Sequence, residues 1–238
     1  MADYVLVHGA WGGAHVWRKV RPLLWAAGQH VWTPPLTGLG ERYHLASAQV
    51  DLTTHVADVV NHVLYEDLED IVLVGFSYGG MVVTGSLAYI ADRVRHLVYL
   101  DAFVPGDGQS LDDLVGVVRP GGRVGLGAKW QVEGGPRPTV DEPGAQADAE
   151  WNAARYTPQP SGTLSEKALL ERPLEQYPFT RTYIKATGQP RPAGAAAFWA
   201  AADHAQSTPG WRYAEIASDH GIPLRRPEEL VDRLLELT

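Results

Sequence analysis

The stretch Asp70-Ile71-Val72-Leu73-Val74-Gly75-Phe76-Ser77-Tyr78-Gly79 decides how the rest of the chain is read. Its first half is an apolar run without polar alternation, the pattern of a strand covered on both faces. From about Gly79 to Ile90 the residues read as a helix, so strand passes into helix through one turn. That turn is Gly75-Phe76-Ser77-Tyr78-Gly79, a G-x-S-x-G pattern. In a strand–turn–helix setting the serine occupies a sharp, strained corner, and neighbouring side chains would collide with sheet and helix. The helix start adds positive dipole beside it. Ser77 is therefore the candidate nucleophile; the competing reading is a Gly-rich turn with a capping serine.

The same alternation runs outward in both directions. Tyr4 to His8 reads as a buried strand followed by a Gly-rich loop, Gly9 to Gly13. Residues 15–27 have helical spacing, with Pro22 signalling a kink or a late start and Gly28 a stop. His30 to Thr33 is a short strand closed by two prolines, and residues 36–50 form a loop. Residues 52–66 read as a helix with Val56, Val59, Val60 and Val63 on one face and Asp51 as its cap. After the nucleophile helix, Arg95 to Asp101 is a buried strand. Residues 105–178 break the pattern. They are rich in Gly and Pro, include a turn-like Arg119 to Gly127, and look helical only over Ser110 to Val118 and Ser165 to Glu175. Alternation then resumes with a strand at Arg181 to Ala186, a helix at Ala195 to Ala205, a strand at Trp211 to Ala217 and a last helix from Pro227 to about Leu237. This order predicts an α/β fold, a mostly parallel sheet of about six strands with helices on both faces. The core is expected over 1–104 and 179–238, and residues 105–178 are expected to form an inserted cap, or lid, over the sheet's C-terminal edge.

Chemistry gathers at the ends of those strands. His220, in Ser218-Asp219-His220-Gly221-Ile222-Pro223, follows the last strand and precedes the last helix. That is where a general base belongs in the chain order serine, acid, histidine. A loop histidine without a role is the plainer alternative. Asp101 ends the strand after the nucleophile helix and is the preferred acid, with Asp203 and Asp219 as alternatives and a turn-forming role as the plain reading. The backbone N–H groups of Ala10, in the loop after the first strand, and of Tyr78 are assigned as oxyanion-hole donors. His8, at a buried strand end, reads as a structural hydrogen-bonding residue. His55 and His62 are assigned to a helix surface, His96 starts a strand, and His15, His30, His44 and His204 lack a partner pattern. Trp11, Tyr78 and Phe103 adjoin the catalytic elements and are expected to face the substrate. Trp130 and Trp151 are expected either to contribute from the cap or to pack within it. An aromatic lining suits an aryl or alkyl ester.

Composition bounds the partners. The 238 residues are 45% apolar and 20% charged, enough for one sizeable core. The net charge of -8, without a basic run, argues against nonspecific nucleic-acid binding. The chain has no cysteine, which excludes disulfides, thiolate metal sites and a cysteine nucleophile. No H-x-x-x-H pattern is present, and neither a metal nor another cofactor is expected. The N-terminus lacks a signal-peptide pattern and no apolar run approaches membrane length, so a cytoplasmic place follows by default, with no membrane partner. A homodimer is left open.

Three segments carry a resemblance: HGAWGGAHVW from His8, GFSYGGMV from Gly75 and LVYLDAFVP from Leu97, joined by the late His220. They resemble the small α/β-hydrolases that include plant methylesterases and hydroxynitrile lyases, and most of all bacterial carboxylesterases of the pyrethroid-hydrolase type. The resemblance spans 3–104 and 180–238; residues 105–178 match in position and length alone. It implies the α/β-hydrolase fold, a serine–acid–histidine triad and an oxyanion hole at the positions named above. The lyases of this family look to carry Thr after the first His and Lys after the catalytic His, where this chain has Gly9 and Gly221. Both differences favour ester hydrolysis. Plant members place their acid after the next-to-last strand, where this chain has Gly188 and Gln189, and that favours Asp101. The expectation is a serine esterase that cleaves a small, mostly uncharged carboxylic ester through an acyl-enzyme on Ser77, with His220 as general acid and base. A lactonase, lyase or cyclase on the same scaffold is the first rival, and a ligand-binding receptor with little turnover is the second.

Overall fold

The computed structural model describes residues 1–118, 130–134, 145–188 and 196–237. Strand β1 (Asp3–Val7) alternates between two cores, Val5 and Val7 entering one, Tyr4 and Leu6 the other. After a 3-10 turn at Ala14–Arg18, helix α1 (Val20–Ala26) starts late, with Pro22 in its first turn, where the missing N–H costs nothing. β2 (His30–Trp32) is a short edge strand. Helix α2 (Leu52–Tyr65) opens on a capping box: Thr54 N–H donates to Asp51 at 3.0 Å, and Asp51 N–H donates to the Thr54 hydroxyl at 3.3 Å. β3 (Ile71–Phe76) is buried throughout and leads into α3 (Gly79–Ile90), followed by β4 (Val94–Leu100).

The long connection that follows contains α4 (Leu111–Val115), β5 (Gln131–Val132), α5 (Ala145–Ala153), β6 (Gln159–Pro160) and α6 (Gly162–Ser165). β5 and β6 pair antiparallel, apart from the main sheet. The chain re-enters that sheet at β7 (Thr180–Ala186), then α7 (Ala196–Ser207) and β8 (Trp211–Ile216), and ends with α8 (Ile222–Arg225) and α9 (Pro227–Leu235).

The main sheet has six strands in the order β2-β1-β3-β4-β7-β8, every pair parallel. Residues of α2, α3 and α7 complete the core on one face, and residues of α1, α8 and α9 complete the core on the other. All strands point the same way, so the loops after β1, β3, β4 and β8 emerge along one edge, which is the carboxyl edge where such sheets place their chemistry.

Two readings of the connection need correction. Residues Ser165 to Glu175 are not a helix beyond Ser165 itself. The chain there is extended, with Ala168 bridged to Gln109, and closes in a 3-10 turn at Leu174–Gln176. Ala168 and Leu170 are buried while Leu169 between them is 68% exposed, a period of two that a helix cannot give. Pro173 also disfavours helix at the residue before it. The helix expected over Ser110 to Val118 stops at Val115, because Gly116 takes a left-handed conformation (φ +69°) and ends it. Helix α5 was not anticipated. It has no apolar stripe, and its four alanines supply helix propensity without periodicity. The turn-like Arg119 to Gly127 lies outside the described residues. Among the described residues no helix is long and apolar enough to cross a membrane.

Candidate active site

Ser77 leaves β3 with φ +55°, a region that L side chains rarely adopt. Three backbone hydrogen bonds fix this corner. Ser77 N–H donates to Leu100 O at 3.2 Å, and Ser77 O accepts from Gly80 at 3.1 Å and Phe103 at 3.2 Å. The glycines are there for space. A Cβ on Gly75 would lie 2.7 Å from Val83, one on Gly79 would lie 2.6 Å from Val7 O, and one on Gly80 would lie 2.0 Å from Phe103 O. Gly80, just outside the five-residue pattern, is thus the tightest of the three, and sequence reading did not single it out.

Among the described residues, the N–H groups of Ala10 and Tyr78 donate to no protein acceptor, whereas the neighbouring Trp11 and Gly80 N–H groups are used. The Tyr78 side chain is fully buried and its hydroxyl donates to His55 Nδ1 at 2.9 Å, so it does not face a substrate. His55 itself is buried, not on a helix surface as its type suggested; its Nε2–H donates to Thr37 O at 2.8 Å. Burial lowers its pKa to about 4, against the raising effect of that carbonyl. His8 behaves alike: Nδ1–H donates to Gly9 O at 2.9 Å, Nε2 accepts from Leu36 N–H at 3.2 Å, and burial lowers it to about 4.

His220 stands in the turn after β8, its side chain 43% exposed. Its Nδ1 lies 2.6 Å from Asp101 Oδ2. A carboxylate only accepts, so Nδ1 carries the proton and Nε2 is left as the accepting nitrogen. The imidazole stacks on Phe76, the residue before Ser77, at 4.9 Å between ring centres, and on Phe198 of α7 at 5.1 Å. Phe103 continues this aromatic series, 4.5 Å from Phe198.

Asp101 also has a left-handed backbone (φ +40°), held by its N–H to Ile184 O at 2.7 Å. Its second oxygen, Oδ1, accepts from Lys185 Nζ at 2.6 Å and from Ala186 N–H at 3.3 Å. Burial pushes this carboxyl up, but the hydrogen bond and charge of His220 and the charge of Lys185 outweigh it and hold it below the usual carboxylate range. Asp219 turns instead to Gly221 N–H at 2.9 Å and Arg225 at 3.5 Å, and Asp203 lies on α7. At the end of β7, a Cβ on Gly188 would lie 2.7 Å from the Ser218 backbone, so no side chain fits there. Lys185 went unnoticed in the sequence, where the signal is a lone lysine inside a buried strand.

Trp11 ties the loop after β1 to the long connection. Its N–H donates to Gln159 at 2.9 Å, its O accepts from Thr157 N–H at 2.9 Å, and its indole N–H donates to Val132 O at 2.9 Å. Thr157 also accepts from Gly40 N–H at 3.1 Å. Phe103 lines a cavity of 720 Å³ with Val104, Leu114, Leu170, Leu174 and Ala201; neither Ser77 nor His220 lines it. Trp130 is half-buried, with its O accepting from Ser161 N–H at 2.7 Å. The Trp151 ring carries the Arg18 and Arg155 guanidiniums at 4.2 and 3.8 Å and His15 at its edge, so protein groups engage it. Among the described residues no group of three or more His, Asp or Glu is placed to hold a metal ion.

A parallel sheet with a strained serine after β3, an aspartate after β4 and a histidine after β8 points to a class of fold, and comparison of the whole chain shows the family. Residues 4–233 match the model of the alpha/beta hydrolase family, to which this chain therefore belongs. A carbendazim hydrolyzing esterase of Nocardioides sp. is 37% identical over the full length of both chains. An alpha-hydroxynitrile lyase of Arabidopsis thaliana is 36% identical over a segment covering 43% of this chain and 40% of that one. Among solved structures, a methylesterase from Arabidopsis superposes with a TM-score of 0.76 at 23% identity, covering 99% of this chain and 98% of that one. The chain is an enzyme, a carboxylic ester hydrolase by type.

Proposed function

We propose that the enzyme cleaves a small, mostly uncharged carboxylic ester by a two-step route through Ser77. The His220–Asp101 contact at 2.6 Å, beside the strained Ser77, is the observation that carries this reading. His220 Nε2 takes the Ser77 proton as the oxygen attacks the ester carbonyl. The N–H groups of Ala10 and Tyr78 receive the oxyanion, in keeping with their lack of a protein acceptor among the described residues. His220 then protonates the departing alcohol. A water that gives its proton to His220 attacks the acyl-enzyme, and the acid leaves as Ser77 regains its proton. Asp101 holds the imidazole in the required tautomer and stabilises its cation.

The 720 Å³ cavity beside Phe103 is the proposed seat of the larger ester substituent, because Phe103 and Phe198 link it to His220 and Val104, Leu114, Leu170, Leu174 and Ala201 give it an apolar side, while Asp107, Glu171, Arg172, Glu175 and His204 complete its wall. Residues 105–178 act as the cap in this reading. Gly9 supports hydrolysis over a lyase reaction of the kind its relative is named for. A Cβ there would lie 2.9 Å from Ser77 Cβ, so the position takes no side chain that could hold a substrate hydroxyl. The test is hydrolysis of p-nitrophenyl butyrate by the protein and by Ser77→Ala. Turnover that falls by several powers of ten in the variant is expected. Equal rates from two folded proteins would refute the proposal.

A further inference from the structure

We infer that Lys185 is a positioning residue that sets the pH range in which His220 can act as a base. This rests on the triad reading above.

The side chains of Lys185 and Asp101 are almost wholly buried, 4% and 3% exposed, and Nζ lies 2.6 Å from Oδ1. The ammonium also donates to Ala186 O at 2.8 Å and lies 4.5 Å from the centre of the Trp199 ring. The carboxylate is thus divided, one oxygen for the lysine and the other for His220. The division fixes the carboxylate plane and so the direction in which Oδ2 meets Nδ1.

It also changes the charge that His220 feels. With an unpaired carboxylate beside it, a resting imidazole gains strongly from taking a proton, and a protonated His220 cannot accept from Ser77. Lys185 offsets that pull, so that protonating His220 turns a neutral pair into a net cation. The cost is weaker support for the imidazolium formed during attack; the gain is a free base at lower pH. Other described groups around the pair are Tyr183 of β7, whose hydroxyl donates to Ala102 O, Asp203 of α7, and Tyr213 and Glu215 of β8, hydrogen-bonded to each other. Asp219, next to His220 in its own turn, and Arg225 of α8 are paired with each other. Of these groups, Lys185 is the one that brings a positive charge into contact with Asp101.

The experiment compares K185M, K185Q and K185R with the native enzyme by the pH profile of kcat/KM on p-nitrophenyl butyrate. In K185M the acid limb moves toward alkaline pH by about one unit, with KM nearly unchanged, and K185R keeps the native limb. A folded K185M with an unmoved limb overturns the inference. If K185M does not fold, K185Q carries the same test. If only K185R folds, the lysine is structural and the inference falls. The ring-proton resonances of His220, assigned by their loss in H220A, give a readout without turnover. If the native protein shows no Ser77-dependent hydrolysis, the function reading fails on its own. A shifted His220 titration in K185M then still supports the role of Lys185, and an unshifted one ends it.

Discussion

Three residues at the site hold backbones that side chains avoid: Trp11 at φ +57°, Ser77 at +55° and Asp101 at +40°. Each costs about 1–2 kcal/mol and persists because the surroundings leave no alternative. Ser77 is pinned by Leu100, Gly80 and Phe103, and Asp101 by Ile184, Lys185 and Ala186. Ser77 could be read from its neighbours, because glycines flanking a serine at a strand end record a steric demand. Asp101 could be preferred from its strand-end place, but Asp203 and Asp219 stayed as alternatives, since pairing depends on the direction in which a side chain leaves the backbone. His55 was misread by residue type. The buried positions of α2 are 52, 55, 56, 59, 60 and 63, an apolar stripe that includes it. A direct check of the acid is D101N beside D203N and D219N. D101N is expected to lower kcat by about three to four powers of ten, with the other two near native. A comparable loss in D203N with an active D101N would move the acid to α7.

Elements divide by what stabilises them. The inner strands β1, β3 and β4 could be located from their own residues, since double burial demands a nearly unbroken apolar run, whereas β2, β7 and β8 were placed by the alternation of elements around them. The long connection could not be placed in either way, because α5 rests on propensity alone and residues 167–171 bury alternate side chains without belonging to the main sheet. Helix α2 depends on its first turn. D51A removes the carboxylate that accepts from Thr54 N–H, leaving only the backbone half of the capping box, and is expected to cost about 1 kcal/mol in urea denaturation, with hydrolysis at low temperature unchanged. Helix α3 tolerates nothing larger at its start. G80A would drive a Cβ to 2.0 Å from Phe103 O, so the turn or residues 102–103 must shift. Lower thermal stability together with a loss of hydrolysis of at least about tenfold is expected; a native-like G80A would show that the corner is not fixed by this contact.

Across the whole molecule, the two cores enclose histidines that stay uncharged. His8, His55 and His96 are buried, and burial lowers each to about 4 from 6.5. Between pH 4 and 6.5 the unfolded chain therefore binds more protons than the folded one, and stability rises with pH across that window. As pH falls from 6.5 toward 4, His8 and His55 each withdraw up to about 3 kcal/mol. Thermal midpoints measured every half unit should fall steadily over that range, and a flat profile down to pH 4.5 would contradict it. Parallel strands end at one edge, which is why order along the chain was enough to foresee the fold and to nominate candidate residues at that edge. What order could not convey is how the long connection grips that edge. Trp11, beside the proposed oxyanion donor Ala10, is bonded to Val132, Thr157 and Gln159, and Thr157 in turn holds Gly40. For an engineer this makes residues 130–163 a poor module to exchange. A chimaera that imports the segment from a relative without matching partners at 11, 40, 157 and 159 would inherit a new specificity and lose the loop needed to use it.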